Sequence, residues 1–385
     1  MLEIEKMSYW ERNTFFKDID FIIVGAGIVG YSTAIHLRKS HPNSKIVILE
    51  RGILPTGGSS KNAGFACFGS ATELYDDLQH FSEKEVWETV EMRWKGLSYL
   101  REIIGDKNLK LKQNGSWDLI TKEESDLFQE TKKMLPYFNR KMEEITGEKS
   151  VYSVDDKVNE KFQFSGIESS FYNRLEGQID TGEMNISFHK KAIELNIILL
   201  FGTEVSNIDT SHNEHVKLTT NIGDVFAKNC SICTNGLAQE LLKDEDIQPA
   251  RAQVLITKPI KNLSINGTFH YNQGYYYFRN IDGRILIGGG RNLDFKGETT
   301  TQFENTKQIT NQLRTLLQEN ILPSTPHEID YEWAGIMGVG KSKKPIIKKI
   351  SPRLYCGIRL GGMGVAIGTL VGKELSELIE QEEEL

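Results

Sequence analysis

The chain has 385 residues, enough for two domains, and its 39% apolar and 26% charged residues are ordinary for a globular protein. A formal net charge of −7 argues against a nucleic-acid surface, which needs a concentrated positive field. No run approaches the roughly 20 apolar residues that cross a bilayer, and the charged start MLEIEKMSYWERNTFFKDID lacks the layout of a signal peptide, so a cytoplasmic protein without a membrane partner is expected.

In chain order, Phe21–Val24 reads as a buried strand, Ile28–Lys39 as a helix and Lys45–Leu49 as a second strand, with the breaker His41-Pro42-Asn43-Ser44 between them. Residues 53–72 are rich in glycine and serine, whose small size lets backbone approach something flat or phosphorylated. Residues 84–105 form an amphipathic helix with Val86, Trp87, Val90, Trp94 and Leu97 on one stripe, a core face. Gly115–Ile120 is a strand, 122–149 helical, Phe171–Leu175 a strand, Ile186–Leu195 a helix, and Ile197–Phe201 and Asn229–Thr234 strands. Ala252–Thr257, Tyr275–Phe278 and Arg284–Ile287 are strands, the last two joined by the hairpin Asn280-Ile281-Asp282-Gly283. Gln302–Gln318 is a helix, and Tyr355–Ile358 leads through glycines into a helix from Gly361 to Leu385, whose acidic end Glu380–Glu384 is a solvated face. The fold expected is α/β: a doubly wound domain of 1–80, 176–246 and 331–385, with an antiparallel-sheet domain of 81–175 and 247–330.

The four cysteines, Cys67, Cys230, Cys233 and Cys356, suit a reducing compartment. Cys230 and Cys233 have redox spacing but sit in a strand-like run, with no second pair and no histidine cluster, so no metal site is expected. None of the eight histidines has a spacing that suggests chemistry.

The informative motif is Gly25-Ala26-Gly27-Ile28-Val29-Gly30, a G-x-G-x-x-G between strand and helix. Gly25 permits the turn, Gly27 lets backbone meet a pyrophosphate, and Gly30 lets helix and strand pack closely. Glu50 ends the second strand 20 residues after Gly30, where a carboxylate accepts both ribose hydroxyls and disfavours a 2′-phosphate. Two further segments, Gly57–Gly64 and Gly357–Val365, suit a flavin better than a nicotinamide. The second feeds a helix whose N-terminus would stabilise a negative charge on the reduced ring.

With these segments in view, the chain resembles the FAD-dependent D-amino-acid oxidase superfamily, which includes glycine oxidase, sarcosine oxidase and gamma-glutamylputrescine oxidoreductase. The resemblance spans nearly the whole length through the fingerprint, SSKNAG, Gly202–Val205, Thr234-Asn235-Gly236 and GGMGVAIG. It implies that Gly25, Gly27, Gly30 and Glu50 hold the ADP half of FAD, and that Ser59, Ser60, Asn62, Ala63 and Gly64 line the ribityl chain and ring. Val205 would contact adenine, Thr234 and Gly236 would flank the pyrophosphate, and Gly361, Gly362, Gly364 and Val365 would face the pyrimidine edge. Ile28, Val29, Arg51, Lys61, Asn235, Gly335, Arg359 and Met363 complete the expected cofactor set.

Two departures matter. Where the family commonly has Gly-x-Arg-Pro to clamp a substrate carboxylate, this chain has Gly335-Ile336-Met337-Gly338, and the lysine that follows the last Gly-x-Gly in sarcosine oxidases is replaced by Val365-Ala366. Both absences remove a cation that a simple α-amino acid would pair with. No cysteine neighbours Gly335–Gly338, so the FAD is expected to be non-covalent.

The resemblance implies oxidation of a small amine or amino-acid derivative by hydride transfer to flavin N5, giving an imine, with oxygen or another electron acceptor. A 2-hydroxy-acid or cyclic-imine oxidoreductase, or a flavin module without turnover, are the alternatives. Tyr277 and Arg279 are the candidate catalytic residues. Alternation places Tyr275, Tyr277 and Arg279 on one strand face and Tyr276 and Phe278 on the other, and leaves open which face looks inward. Trp333 and Lys61 are weaker candidates, and a surface salt bridge is an equal fate for Lys61 or Arg279.

Overall fold

The computed structural model describes residues 4–212 and 214–383; Glu384 of the acidic tail and Leu385 lie outside them. The expected βαβ start is present: strand Ile19–Val24, helix Ile28–Ser40, strand Ile46–Glu50. These apolar runs lie buried from both sides, which is why they read as continuous and not alternating. Burying Ile22 and Ile23 outright contributes roughly 2 kcal/mol of transfer free energy each.

Around this start the first sheet runs Ile346–Ser351, Leu354–Ile358, Gly223–Ile232, Ile19–Val24, Ile46–Glu50, Ile198–Phe201. The four central pairings are parallel, and an antiparallel extension, Val216–Thr220 and Val205–Asp209, branches from Gly223–Ile232. Helix Gly364–Glu383 returns the chain against Ile28–Ser40, where the Ser32 hydroxyl donates to the Thr369 carbonyl at 2.7 Å. The apolar stripe of residues 84–105 is core as expected. Its helix begins at Glu83, capped by Ser82 and Glu85 in a reciprocal box, and buries Val86, Trp87, Val90 and Leu97.

The second sheet runs Ile329–Val339, Gln248–Thr257, Arg284–Gly289, Tyr276–Ile281, Thr268–Tyr271, Ser116–Thr121, Ile167–Asn173, Tyr152–Val154. Every pairing is antiparallel except Thr268–Tyr271 with Ser116–Thr121. The hairpin at Asn280–Gly283 forms as read. Sequence reasoning missed the eleven-residue strand Ile329–Val339. Its interior glycines and the polar half Asp330–Glu332 weaken the strand pattern, and as an edge strand it keeps that half exposed. The domain division drawn at residue 331 falls inside it. The helix expected over 302–318 starts only at Lys307, and residues 302–306 are irregular.

Candidate functional site

A cleft of about 720 Å³ lies between the two sheets, with the Gly25 turn and Glu50 in one part of its wall and Phe65, His270, Tyr275 and Tyr277 in another. At the first end, Gly25 adopts φ +108°, and a Cβ on Gly30 would come within 1.9 Å of the Gly25 carbonyl, so helix and turn meet as only glycine allows. Buried Glu50 folds back on the turn: Oε2 accepts from the Ala26 amide at 3.1 Å, and Oε1 from the Gly52 amide at 3.0 Å and the Thr56 hydroxyl at 3.2 Å. Gly27 brings no capping side chain, and the Ser59 hydroxyl accepts from the Ile28 amide at 2.9 Å instead.

The loop 57–64 forms the next wall. Asn62 organises it, donating to the Gly58 and Ser59 carbonyls and accepting from the Gly64 amide and the Thr181 hydroxyl. Lys61 makes no salt bridge among the described residues. Its ammonium sits 5.3 Å from the Phe303 ring centroid, and its carbonyl accepts from Trp333 Nε1 at 3.0 Å. Trp333 therefore braces the loop from behind. Across the cleft lie Val205, Thr234, Asn235, Gly335, Gly361, Gly362, Met363, Gly364 and Val365. The helix Gly364–Glu383 starts at this wall, where first-turn amides and the helix dipole suit a negative group. The buried Thr234 hydroxyl oxygen has no partner.

At the far end, Tyr275 and Tyr277 face the cleft while Tyr276 and Phe278 enter the core of the second sheet, which resolves the open question of strand facing. Phe65 meets both His270 and Tyr277 edge-on, at 5.5 Å each. Burial pushes the Tyr277 phenol up to about 12 and His270 down to about 4. His270 Nε2 is buried without a partner. Glu73, Asp77, Arg93 and Lys343 form a second wall. Burial favours a neutral Glu73, but Arg93 and Lys343, each 3.1 Å away, outweigh it and hold the carboxyl at about 2.

Five expected site residues do not line this cleft. Arg279 shares a face with Tyr277 but is buried behind Gly64, where a Cβ would meet its Nη2 at 2.7 Å; Nε has no partner, and burial lowers the guanidinium to about 10. Arg359 pairs with Asp246 at 2.7 Å and donates to the Lys344 carbonyl, fastening a turn. Ser60 turns its hydroxyl to the Pro55 and Gly57 carbonyls. Gly30 and Gly236 serve close packing, Gly236 against the Met337 carbonyl. The other named residues, Gly25, Gly27, Ile28, Val29, Glu50, Arg51, Ser59, Lys61, Asn62, Ala63 and Gly64 among them, are in the wall.

The structure also brings together what spacing did not show. Cys67, Glu176 and His270 place one ligating atom each within 4.8 Å of one another, a group of mixed donors remote in sequence from Cys230 and Cys233. Burial raises Cys67 and lowers His270, and it lifts Glu176 to about 7 against the amides of Gly69 and Phe68. Burial thus keeps the thiol protonated and the imidazole neutral at neutral pH in the metal-free protein. Cys230 and Cys233 are buried free thiols.

The sequence profile of the FAD dependent oxidoreductase family (DAO) matches residues 20–378. The chain belongs to this family. Its members' cofactor is FAD, and the chain is an FAD-dependent oxidoreductase. It is similar to the probable oxidoreductase OrdL of Haemophilus influenzae, at 22% identity over 96% of this chain and 85% of that one. It is also similar to sarcosine oxidase subunit beta of Rhodobacter capsulatus, at 24% identity over 94% and 87%. Glycine oxidase from Bacillus cereus has the same fold, with a TM-score of 0.74 at 18% identity over 95% and 96%. Among the described residues no helix is long and apolar enough to cross a membrane. The residues present fit FAD: a glycine turn that a Cβ would fill, a ribose-type carboxylate, and an unpartnered hydroxyl at Thr234 between them and the C-terminal glycines.

Proposed function

We propose that this oxidoreductase converts a small amine or amino-acid derivative to an imine, with FAD held non-covalently and oxygen or another carrier accepting the electrons. The supporting observation is a single cleft that joins the Glu50 and glycine cradle to the chamber of Phe65, His270 and Tyr277. The relatives named for sarcosine and glycine point to the same substrate class. In this reading, Gly25, Gly27, Ile28, Val29, Glu50, Arg51 and Val205 hold the ADP half. Ser59, Lys61, Asn62, Ala63, Gly64, Thr234, Asn235, Gly335 and Gly361–Val365 hold the remainder. The cofactor domain comprises 1–80, 176–246 and 331–385 apart from the strand Ile329–Val339, and the substrate domain takes the rest.

Bound FAD would supply the acceptor for the hydride leaving the amine carbon. The chain's residues do the rest. Aromatic walls exclude water and orient the C–H bond. The burial that keeps His270 neutral also makes it a weak base, so its part is to line the chamber without adding a positive charge, and the amine is the form taken up with its lone pair free. Tyr277, protonated throughout, offers a donor. Arg279 lies behind Gly64 and outside the cleft wall, so it has no part in this reading.

Anaerobic mixing of the yellow protein with a panel of primary and secondary amines tests this reading. Bleaching of the visible band by an amine is expected. Amines that all fail while a 2-hydroxy acid bleaches it would reject amine oxidation.

A further inference from the structure

The cleft wall contains a cation that forms no ion pair with any acid among the described residues. Strand Arg284–Gly289 ends in Gly288 and Gly289, and these and Gly290 just beyond it lie close against the neighbouring tyrosine strand. A Cβ on Gly288 would meet the Tyr277 ring at 2.7 Å, and one on Gly289 the Tyr275 carbonyl at 2.1 Å; that carbonyl accepts from the Gly290 amide at 2.9 Å. Gly290 then turns at φ +80° and starts the short helix Arg291–Leu293. The turn brings Arg291 into the cleft wall along with Tyr275 and Phe295, whose rings meet edge-on and stay partly exposed. Its guanidinium stacks 5.0 Å from the Phe295 ring centroid, and its buried Nε has no hydrogen-bond partner.

Nearby charges are already engaged. Glu298, the acid with most influence on Arg291, is held by Arg251 through Nε at 2.8 Å and Nη2 at 2.6 Å, and by Gln253 at 2.9 Å. On the second wall, Glu73 and Asp77 pair with Arg93 and Lys343, so those two cations are also taken. A half-buried guanidinium with an unpartnered Nε, set beside two aromatic rings in the cleft wall, matches a carboxylate.

We propose that Arg291 is the carboxylate-binding residue of this enzyme, standing in from a different strand for the arginine absent at Gly335–Gly338. The proposal rests on the amine-oxidation reading and narrows it: the substrate is an amino acid or N-substituted amino acid whose carboxylate lies against Arg291 while its amine lies toward His270 and Tyr277. Tyr275 and Phe295 flank the anion and fix its approach.

The test is calorimetric titration of the FAD-loaded protein with benzoate, and with benzamide as the uncharged isostere, for wild type, R291Q and R291K. Benzoate is expected to bind wild type at least tenfold more tightly than benzamide. R291Q should weaken benzoate about 100-fold while leaving benzamide binding and the visible spectrum unchanged. R291K should fall between, because one ammonium cannot make the paired contact. Equal benzoate affinity in wild type and R291Q, or no preference over benzamide in wild type, overturns the proposal. So does an R291Q protein that loses its colour, since the guanidinium would then serve a cofactor phosphate or the fold. If no amine bleaches the flavin but Arg291 still discriminates benzoate, the anion site stands and the amine reading falls.

Discussion

The two ends of the cleft are built differently. Around the Gly25 turn the polar groups are largely satisfied by the protein itself: Glu50 accepts three hydrogen bonds, Ser59 caps Ile28, and Asn62 uses both ends of its amide. In the chamber, His270 Nε2 and Arg291 Nε are buried and unpartnered. The first end is mainly backbone geometry enforced by glycines. The second is side-chain chemistry held ready at a desolvation cost, since an unmet buried polar group disfavours folding by about 1–3 kcal/mol. Backbone geometry thus dominates one end of the cleft and side-chain chemistry the other.

The contrast is sharpest at Gly30. Valine there would drive Cβ into the Gly25 carbonyl, so G30V should lose about 3 kcal/mol and all yellow colour, read by thermal melting and the visible spectrum. A stable, yellow G30V would break the claim that backbone packing makes the cradle. Next in size, Glu50→Ala strips the Ala26 and Gly52 amides of their acceptor. FAD affinity should fall roughly 30-fold, equivalent to about 2 kcal/mol, in a fluorescence titration, with chamber ligands unaffected.

The chamber should instead show itself through pH. His270 has its folded value lowered from 6.5 to about 4, so its contribution to stability is full above 6.5 and lost as pH falls toward 4. Glu176, raised from 4.5 to about 7, runs the other way: its contribution is full below 4.5 and lost as pH rises through 7. His270→Phe should flatten the acid side of a plot of melting temperature against pH, and Glu176→Gln the neutral side. Unchanged slopes in both variants would mean that neither group is held neutral by burial. The smallest effect is expected for Tyr277→Phe, which keeps the ring contacts to Phe65 and Gly288 and removes one hydroxyl. Turnover should fall several-fold, for roughly 1 kcal/mol, with colour retained in steady-state assays.

The same contrast explains what was legible in the sequence. The G-x-G-x-x-G turn and Glu50 are local, so residues a few places apart carry their geometry with them, and the structure assembles them as read. Alternation likewise put Tyr277 and Arg279 on one face, but depth depends on what packs above. The loop at Gly64 covers Arg279, and nothing near residue 279 announces that. His270 was passed over because its strand is only four residues long and pairs with segments far away in sequence. Arg291 matters through the register of Gly288 and Gly289 against Tyr277 and Tyr276, a relation between two strands that neither states alone. The run of three glycines before it was the available signal, for a chain lying close against a neighbour.

One consequence concerns the strand Ile329–Val339. Its Gly335 abuts Lys61, its Gly338 abuts Asn235, and the Gly338 carbonyl accepts from the Gly361 amide at 2.9 Å. A single rod of backbone therefore gauges three sides of the cradle while its other edge is stitched to Gln248–Thr257 along most of its length. That seam lies within the second sheet, so moving the two sheets apart would leave it whole and would instead break the hydrogen bond from the Gly361 amide to the Gly338 carbonyl, which ties this strand to the C-terminal glycine turn.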